Sequence, residues 1–267
     1  ILAYSGGLDT TAIIPWLKEN YDYDVVCCCI DVGQGNELDG LEEKAVKTGA
    51  SKLIVLDLKK TFVEDYIFPT VQAGAVYENR YLLGTSFARP IIGKELARIA
   101  LEEGADAICH GATGKGNDQV RFETSIQALD PSIEIIAPVR EWDLHTRQEE
   151  MDWAVAHGVE VPTTKSKPYS IDDNLWGRAI ECGVLEDPMN RPPLDIYTMT
   201  TDPEKAPDEA LEVEVEFKAG VPCAIDGKEM SYLEIIEKMN EIAGANGFGR
   251  IDMIENRMIG VKSRECY

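Results

Sequence analysis

Residues 3–11 have the composition of a phosphate-binding loop. They read Ala-Tyr-Ser-Gly-Gly-Leu-Asp-Thr-Thr and lie between a predicted strand and a predicted helix. Two glycines let the backbone approach a phosphate, and the helix N-terminus offers N–H groups without an intrahelical partner. Ser5, Thr10 and Thr11 add hydroxyls, and the lysine that holds a γ-phosphate in P-loops is absent. The loop therefore favours a departing pyrophosphate; the alternative is a tight turn capped by Ser5, with Asp9 at the helix dipole.

A second polar loop, residues 110–121, follows another predicted strand. It contains three glycines together with Lys, Asn, Asp, Gln and Arg, which are groups that bind anions and amino-acid termini. Ligands of open α/β sheets bind at the carboxyl ends of the strands, so two such loops together favour nucleotide binding over a solvated turn. Residues 81–90 and 250–257 are further candidates. Taken by itself, the segment 81–90 fits equally well a loop that leads to a helix with Pro90 at its first position. The segment 250–257, taken by itself, fits ion pairs on a solvated surface.

The elements that position these loops alternate between apolar runs and helix-like segments. Such alternation predicts an α/β domain with a doubly wound parallel sheet. The strands are predicted at 1–4, 25–30, 53–56, 105–109 and 134–136, and the helices at 10–19, 38–48, 90–103 and 119–129.

The pattern changes after about residue 162, where a smaller α+β domain with antiparallel strands is predicted. Residues 211–217 alternate apolar and acidic side chains, as in a strand with one wet face, and turns follow at Gly220 and Asp226-Gly227. Ser231 and Glu234 form a capping box for a helix that ends at Gly244. The predicted domains are 1–163 and 164–267, and the proline-rich stretch 187–207 is read as a surface connection.

Composition narrows the class of protein. The chain of 267 residues has 26 basic and 48 acidic residues, a formal charge of −22, which disfavours nucleic-acid binding. The window 80–121 is an exception, because its six basic residues outnumber five acidic ones. No apolar run approaches the ~20 residues that span a bilayer. The run Cys27-Cys28-Cys29 indicates buried strand residues in a reducing cytoplasm. His and Cys spacings predict no zinc site, and no G-x-S-x-G elbow is present.

Together, the motifs resemble those of a known family. The SGGLDT loop resembles the pyrophosphate loop of the N-type ATP pyrophosphatases. With the segments 81–90, 110–121, 167–176 and 249–257, the whole chain resembles the argininosuccinate synthases. That family joins citrulline and aspartate with ATP and Mg²⁺ through a citrullyl-adenylate, and releases AMP and pyrophosphate.

The resemblance implies three sets of site residues and identifies no general base and no protein ligand to a metal. ATP is expected on Ala3, Tyr4, Ser5, Gly6, Gly7, Leu8, Asp9, Thr10 and Thr11, near Ile30, and along 109–117 with Gly111 prominent. Citrulline is expected at Tyr81, Ser86, Asn117, Arg121, Ser170, Glu255 and Tyr267. Aspartate is expected at Thr113, Asn117 and Asp118.

One position departs from the family pattern: residue 179 is alanine, where the family has a second citrulline-contacting serine. The family's polypeptides are also longer and form tetramers through a C-terminal helix, so we expect the native polypeptide to start before Ile1 and to continue beyond Tyr267. Two alternatives stay open. A tRNA-thiolating ATP pyrophosphatase should show a basic surface and a reactive cysteine pair, and a catalytically silent sensor should bind ATP without forming AMP.

Overall fold

The computed structural model describes residues 1–114, 116–160 and 169–267, apart from the side chains of residues 36 and 37. The chain divides into two compact units. The first unit comprises Ile1–Asp57 and Arg89–Ser166, and the second comprises Leu58–Ala88 and Lys167–Tyr267. The predicted domain boundary at 163/164 lies outside the described residues and stays a prediction.

A parallel five-stranded sheet forms the centre of the first unit, as predicted. Its order is β3-β2-β1-β4-β5, so the order of the strands reverses between β1 and β4. The strands are β1 Leu2–Ala3, β2 Val26–Asp31, β3 Lys52–Asp57, β4 Ala107–Cys109 and β5 Glu134–Ile136.

The predicted helices are also present, with bounds that differ at the ends. Helix α5 begins six residues before Pro90, so Pro90 lies inside it and removes one intrahelical hydrogen bond. The expectation that Pro90 opens this helix was wrong. The helices are α1 Leu8–Tyr21, α2 Leu41–Thr48, α3 Lys59–Thr61, α4 Phe68–Gln72, α5 Gly84–Glu103, α6 Asp118–Leu129, α7 Arg147–Ala156 and α8 Tyr232–Ala245, with a π-helical turn Phe62–Ile67 between α3 and α4.

The cysteine run is part of the core of the first unit. Cys27, Cys28 and Cys29 are 0–4% exposed on β2, and all seven cysteines of the chain are free. Burial raises the pKa of the Cys27 and Cys28 thiols to about 12. These thiols therefore stay protonated and act as small apolar side chains, as expected from the sequence.

In the second unit, a three-stranded antiparallel meander contains the predicted turns. It consists of β8 Val215–Lys218, β9 Val221–Ile225 and β10 Lys228–Glu229. Ala219-Gly220 and Asp226-Gly227 connect these strands with positive φ angles at all four residues, as two-residue hairpin turns require. The predicted strand 211–217 was partly wrong. Only residues from Val215 onward pair, and the expected buried face is exposed at Leu211 (61%) and Phe217 (62%).

A four-stranded antiparallel sheet completes the second unit. Its order is β11-β12-β7-β6, and its strands are β6 Ser170–Asn174, β7 Gly177–Glu181, β11 Asp252–Asn256 and β12 Lys262–Cys266. Helix α8 begins with the predicted capping box, in which Ser231 and Glu234 bond to each other's backbone amides. Among the described residues, no helix is long and apolar enough to cross a membrane.

Candidate functional site

The loop between β1 and α1 exposes backbone amides at the carboxyl edge of the sheet. Gly7 is the N-cap of α1, and no side chain caps this end of the helix. The alternative in which Ser5 caps α1 was therefore wrong. Ser5 instead lies within the loop, where its hydroxyl is 3.2 Å from that of Thr10 and 3.4 Å from the Gly7 amide. The first-turn amides of α1 have no acceptor within the helix and are available to an anion.

Gly6 is required by the geometry of this loop. Its φ is +75°, and a Cβ atom there would lie 2.4 Å from Leu41 Cδ1 of α2. The Thr11 hydroxyl donates to the Gly7 carbonyl at 2.6 Å, and Lys44 of α2 donates to the Gly6 carbonyl. The loop is thus held from both adjacent helices in one conformation.

The second glycine loop lies against the first. A Cβ atom on Gly111 would lie 3.3 Å from Thr10 Cγ2 and 3.6 Å from Ile13 Cδ1 of α1. The two loops follow β1 and β4, which are hydrogen-bonded neighbours at the point where the strand order reverses. Such a switch point is where open α/β sheets form a ligand crevice. The structure therefore brings the expected ATP residues of both loops to one edge.

Ile30 completes the expected ATP residues at the end of neighbouring β2. Its side chain is 3% exposed, and its carbonyl accepts from Gln34 Nε2 at 2.7 Å. Asp31, the next residue, accepts from the Gly33 amide at 2.8 Å. These two hydrogen bonds fix a tight turn directly after β2.

A network of four side chains holds both ends of the second loop. His110 is fully buried; its Nδ1 accepts from the Ala112 amide at 3.2 Å, and its Nε2 lies 3.4 Å from Glu123 Oε1. Burial lowers the pKa of His110, which favours the neutral imidazole, and its Nε2 lies near Glu123 without a hydrogen-bond partner among the described residues. The hydrogen bond from the Ala112 amide fixes the start of the loop.

The other end of the loop is held through Arg140, which follows β5. Arg140 Nη2 lies 2.6 Å from Glu123 Oε1, and its Nη1 donates to Gln119 Oε1 at 2.9 Å. Gln119 in turn donates to the Gly114 carbonyl at 2.8 Å. Glu123 is therefore linked to both ends of the glycine loop. The sequence analysis singled out the loop that contains His110 and Gln119 but not this network, because Glu123 and Arg140 lie outside that loop.

The carboxylate expected to meet aspartate is already paired. Asp118 contacts Arg89 Nε and Arg121 Nη1, each at 2.8 Å. Burial opposes its ionisation, but the two guanidinium groups outweigh burial and lower the Asp118 pKa. Asp118 is thus an anion within a net cationic group, and Arg89 is a member that the sequence analysis did not assign. Of the other two residues expected to bind aspartate, Thr113 is exposed in the second glycine loop and Asn117 is the N-cap of α6.

In the second unit, three of the expected citrulline residues are in contact. The rings of Tyr81 and Tyr267 stack with centroids 4.3 Å apart and planes 14° apart. Tyr267 donates its hydroxyl proton to Glu255 Oε2 at 3.1 Å, and Glu255 is 6% exposed. Burial raises the pKa of Tyr267, and Tyr81 and Glu255 raise it further, so the donor keeps its proton.

The other two expected residues of this unit lie near the ends of elements. Ser86 is in the first turn of α5, next to Thr85, whose amide donates to the Tyr81 hydroxyl at 3.0 Å. Ser170 is exposed at the start of β6, opposite Glu181 of β7. Ala179 pairs with Asp172 in the same ladder.

A buried ion cluster supports the strand next to Glu255. Arg257 Nη2 donates to Glu265 Oε1 and to Ser263 Oγ, each at 2.7 Å, and it also contacts Glu181. Burial and the negative charge of Glu181 together raise the pKa of Glu265 to about 8. Ser263 is paired with Glu255 across β11 and β12, so the cluster positions the strand that carries that carboxylate.

Comparison with known proteins shows the family of the chain. The model of the arginosuccinate synthase N-terminal HUP domain matches residues 1–160, and that of the C-terminal domain matches residues 169–267. Proteins named argininosuccinate synthase from Moorella thermoacetica and Pelotomaculum thermopropionicum are each 57% identical over the whole chain, which covers 65% and 67% of their lengths. One from Desulfitobacterium hafniense is 55% identical over the whole chain and 67% of its own length. The chain belongs to the argininosuccinate synthase family.

Proposed function

We propose that the protein carrying this chain is a carbon–nitrogen ligase of arginine biosynthesis. It joins citrulline and aspartate with ATP and releases argininosuccinate, AMP and pyrophosphate. The chain spans about two thirds of the length of the relatives that it matches, so the activity is proposed for the whole protein. The observation that carries the proposal is the pair of glycine loops that meet at the switch point between β1 and β4.

The first loop supports cleavage of ATP between its α- and β-phosphates. In this proposal the departing pyrophosphate binds the first-turn amides of α1, which lack an intrahelical acceptor, and the hydroxyls of Ser5 and Thr10, and the helix dipole of α1 favours its charge. Mg²⁺ enters on the phosphates of ATP, which usually supply part of its coordination. The ureido oxygen of citrulline attacks the α-phosphorus in line, so this step depends on positioning and electrostatics.

The second loop supports capture of aspartate. Thr113 and Asn117 offer polar groups to its carboxylates, and Asp118 pairs with its ammonium. Because Arg89 and Arg121 compensate the charge of Asp118, the group attracts an amino acid that carries both signs. The amine, once deprotonated, attacks the adenylated ureido carbon and displaces AMP.

Aromatic and polar side chains are proposed to recognise citrulline. The Tyr81–Tyr267 stack and Glu255 provide an aromatic surface with a carboxylate for the ammonium group. Arg121 suits the carboxylate of citrulline, and Ser86, Asn117 and Ser170 offer further polar contacts. We further propose a cytoplasmic homo-oligomer, a tetramer in the full-length protein, which binds these small molecules and neither nucleic acid nor membrane.

The direct test is product release from the complete gene product. Mg·ATP is supplied with citrulline and aspartate together, and with each omitted, while AMP and pyrophosphate are measured. Release of both products that requires both amino acids is the expected result. ATP binding without turnover under any of these conditions would contradict the ligase and favour the catalytically silent sensor, which Ala179 suggests.

A further inference from the structure

A buried carboxyl group lies behind the phosphate loop and takes no part in the proposed reaction. It belongs to Glu150 of α7, which is 7% exposed. Helix α7 packs against α1, and its capping box between Thr146 and Glu149 fixes the first turn that carries Glu150. Burying an acid in this way requires either a cation or a proton to neutralise it.

The group that Glu150 meets is another acid. Its side chain hydrogen-bonds to Asp9, which lies in the first turn of α1 within the phosphate loop. Two carboxylates in hydrogen-bond contact cannot both be ionised without strong repulsion. Glu150 Oε1 has no hydrogen-bond partner among the residues described, so no donor of the chain compensates a second charge there.

The surrounding charges assign the shared proton to Glu150. Burial raises the pKa of Glu150 to about 8, and the charge of Asp9 and the hydrogen bond to it act in the same direction. Arg147 of the same helix opposes this rise, but it lies 3.8 Å from Asp9 Oδ1 and is 56% exposed, so water screens it. The N-terminal end of the α1 dipole favours the charge on Asp9.

We infer that Glu150 is a positioning residue that holds a proton against Asp9 and so limits the phosphate loop to one negative charge from this pair. The inference rests on the proposed binding of ATP at this loop. The neutral carboxyl donates its O–H to the Asp9 carboxylate and fixes that side chain beside the loop amides. When the proton leaves to solvent, the pair gains a second negative charge next to the binding site of a polyanion.

The test is the pH dependence of Mg·ATP binding, followed by calorimetry from about pH 7.5 to about pH 9.5, well above the pKa of about 6 of a terminal phosphate. We expect the wild-type Kd to rise as Glu150 ionises, about tenfold for each unit by which bound ATP raises the pKa of this group. Glu150→Gln keeps a neutral donor of the same shape, so its Kd should stay level across this range. Glu150→Ala should bind more weakly at neutral pH, because it loses the donor to Asp9.

Asp152→Asn is the matched control, since it makes the same change from carboxyl to carboxamide at an exposed position on the same helix. It should retain the wild-type pH dependence. If Glu150→Gln fails to fold, calorimetric titrations of the wild type in buffers of different ionisation enthalpy measure the protons taken up when ATP binds. We expect proton uptake near pH 8.

The outcomes separate this inference from the proposed function. Equal pH dependence in wild type and Glu150→Gln, or absence of proton uptake, would overturn the role of Glu150 even if argininosuccinate forms. A Glu150-dependent pH response without AMP formation from both amino acids would overturn the ligase and leave the inference standing. Failure of Mg·ATP to bind at any pH would overturn both.

Discussion

At the scale of single residues, position 179 changes the proposed citrulline site. Ala179 pairs with Asp172 in the β6–β7 ladder, at the position where the resemblance predicts a citrulline-contacting serine. We expect Ala179→Ser to lower the KM for citrulline about 2- to 12-fold, since one added hydrogen bond contributes about 0.5–1.5 kcal/mol. Initial rates at saturating ATP and aspartate measure the effect. Ala179→Cys, which adds similar volume but only a weak donor, should have little effect; an equal gain in both variants would contradict a hydrogen bond.

Gly6 provides a prediction about stability at the same scale. Gly6→Ala should destabilise the chain for two reasons, the positive φ and the clash with Leu41. Leu41→Ala removes the clash partner, so the double variant isolates the cost of the backbone conformation. We expect about 1–2 kcal/mol of destabilisation between Leu41→Ala and the double variant in urea unfolding. Equal stability of these two variants would show that the loop can adopt another conformation.

At the scale of elements, the network around Glu123 couples α6 and the turn after β5 to the second glycine loop. Arg140→Met should weaken Mg·ATP binding about ten- to hundredfold, because a lost hydrogen bond to a charged group costs about 1.5–3 kcal/mol. Calorimetry measures the change. Arg140→Met removes an ion pair with Glu123 and a hydrogen bond to Gln119. The control is Arg98→Met, which likewise removes two side-chain contacts of an arginine, the ion pairs with Glu95 and Glu102, but in an exposed position on α5. Equal effects of both variants would contradict the proposed role of the network.

The elements also show what the sequence could predict. Strands β1, β2 and β4 of the parallel sheet are largely buried, and their near-continuous apolar runs identify them. Strands β6 and β7 read Ser-Ile-Asp-Asp-Asn and Gly-Arg-Ala-Ile-Glu, and their polar composition gives no such signal. Residues 211–217 do alternate, yet alternation marks a strand only where one face is covered, and here both faces are largely exposed.

The candidate site also contains parts that the sequence could predict and parts that it could not. Glycine loops are predictable because their chemistry is local: a few adjacent residues supply the turn, the amides and the hydroxyls. In the pairs Asp9–Glu150 and Arg89–Asp118, the two residues are far apart in the sequence. Their positions in the sequence therefore do not predict that they meet in the fold. Thr146 and Glu149 do form a local signature, a capping box, which would have located α7 and therefore the helix that carries Glu150.

At the scale of the whole molecule, two buried acids predict how stability depends on pH. Burial raises the pKa of Glu150 in the first unit and of Glu265 in the second to about 8, from an ordinary value of 4.5. Between these values the folded chain binds more protons than the unfolded chain, so these groups make stability fall as pH rises and have no further effect well above pH 8.

The double variant Glu150→Gln/Glu265→Gln tests this prediction. Its Tm should rise relative to wild type between about pH 5 and about pH 8, and the difference should then level off. Glu241→Gln changes an exposed glutamate of α8 and should follow wild type throughout. A constant Tm difference across the range would show that neither acid holds its proton in the folded chain.

The free cysteines also allow local unfolding of each unit to be measured by thiol labelling. Cys27, Cys28, Cys29 and Cys109 are buried in the first unit, and Cys266 is buried in the second, whereas Cys182 and Cys223 are partly exposed. An alkylating reagent can reach the buried thiols only during transient unfolding, so peptide-resolved labelling rates give the opening free energy of each unit under native conditions. Rates that fall together when Mg·ATP is added would reveal one cooperative body, and rates that fall only in the first unit would reveal two independent ones.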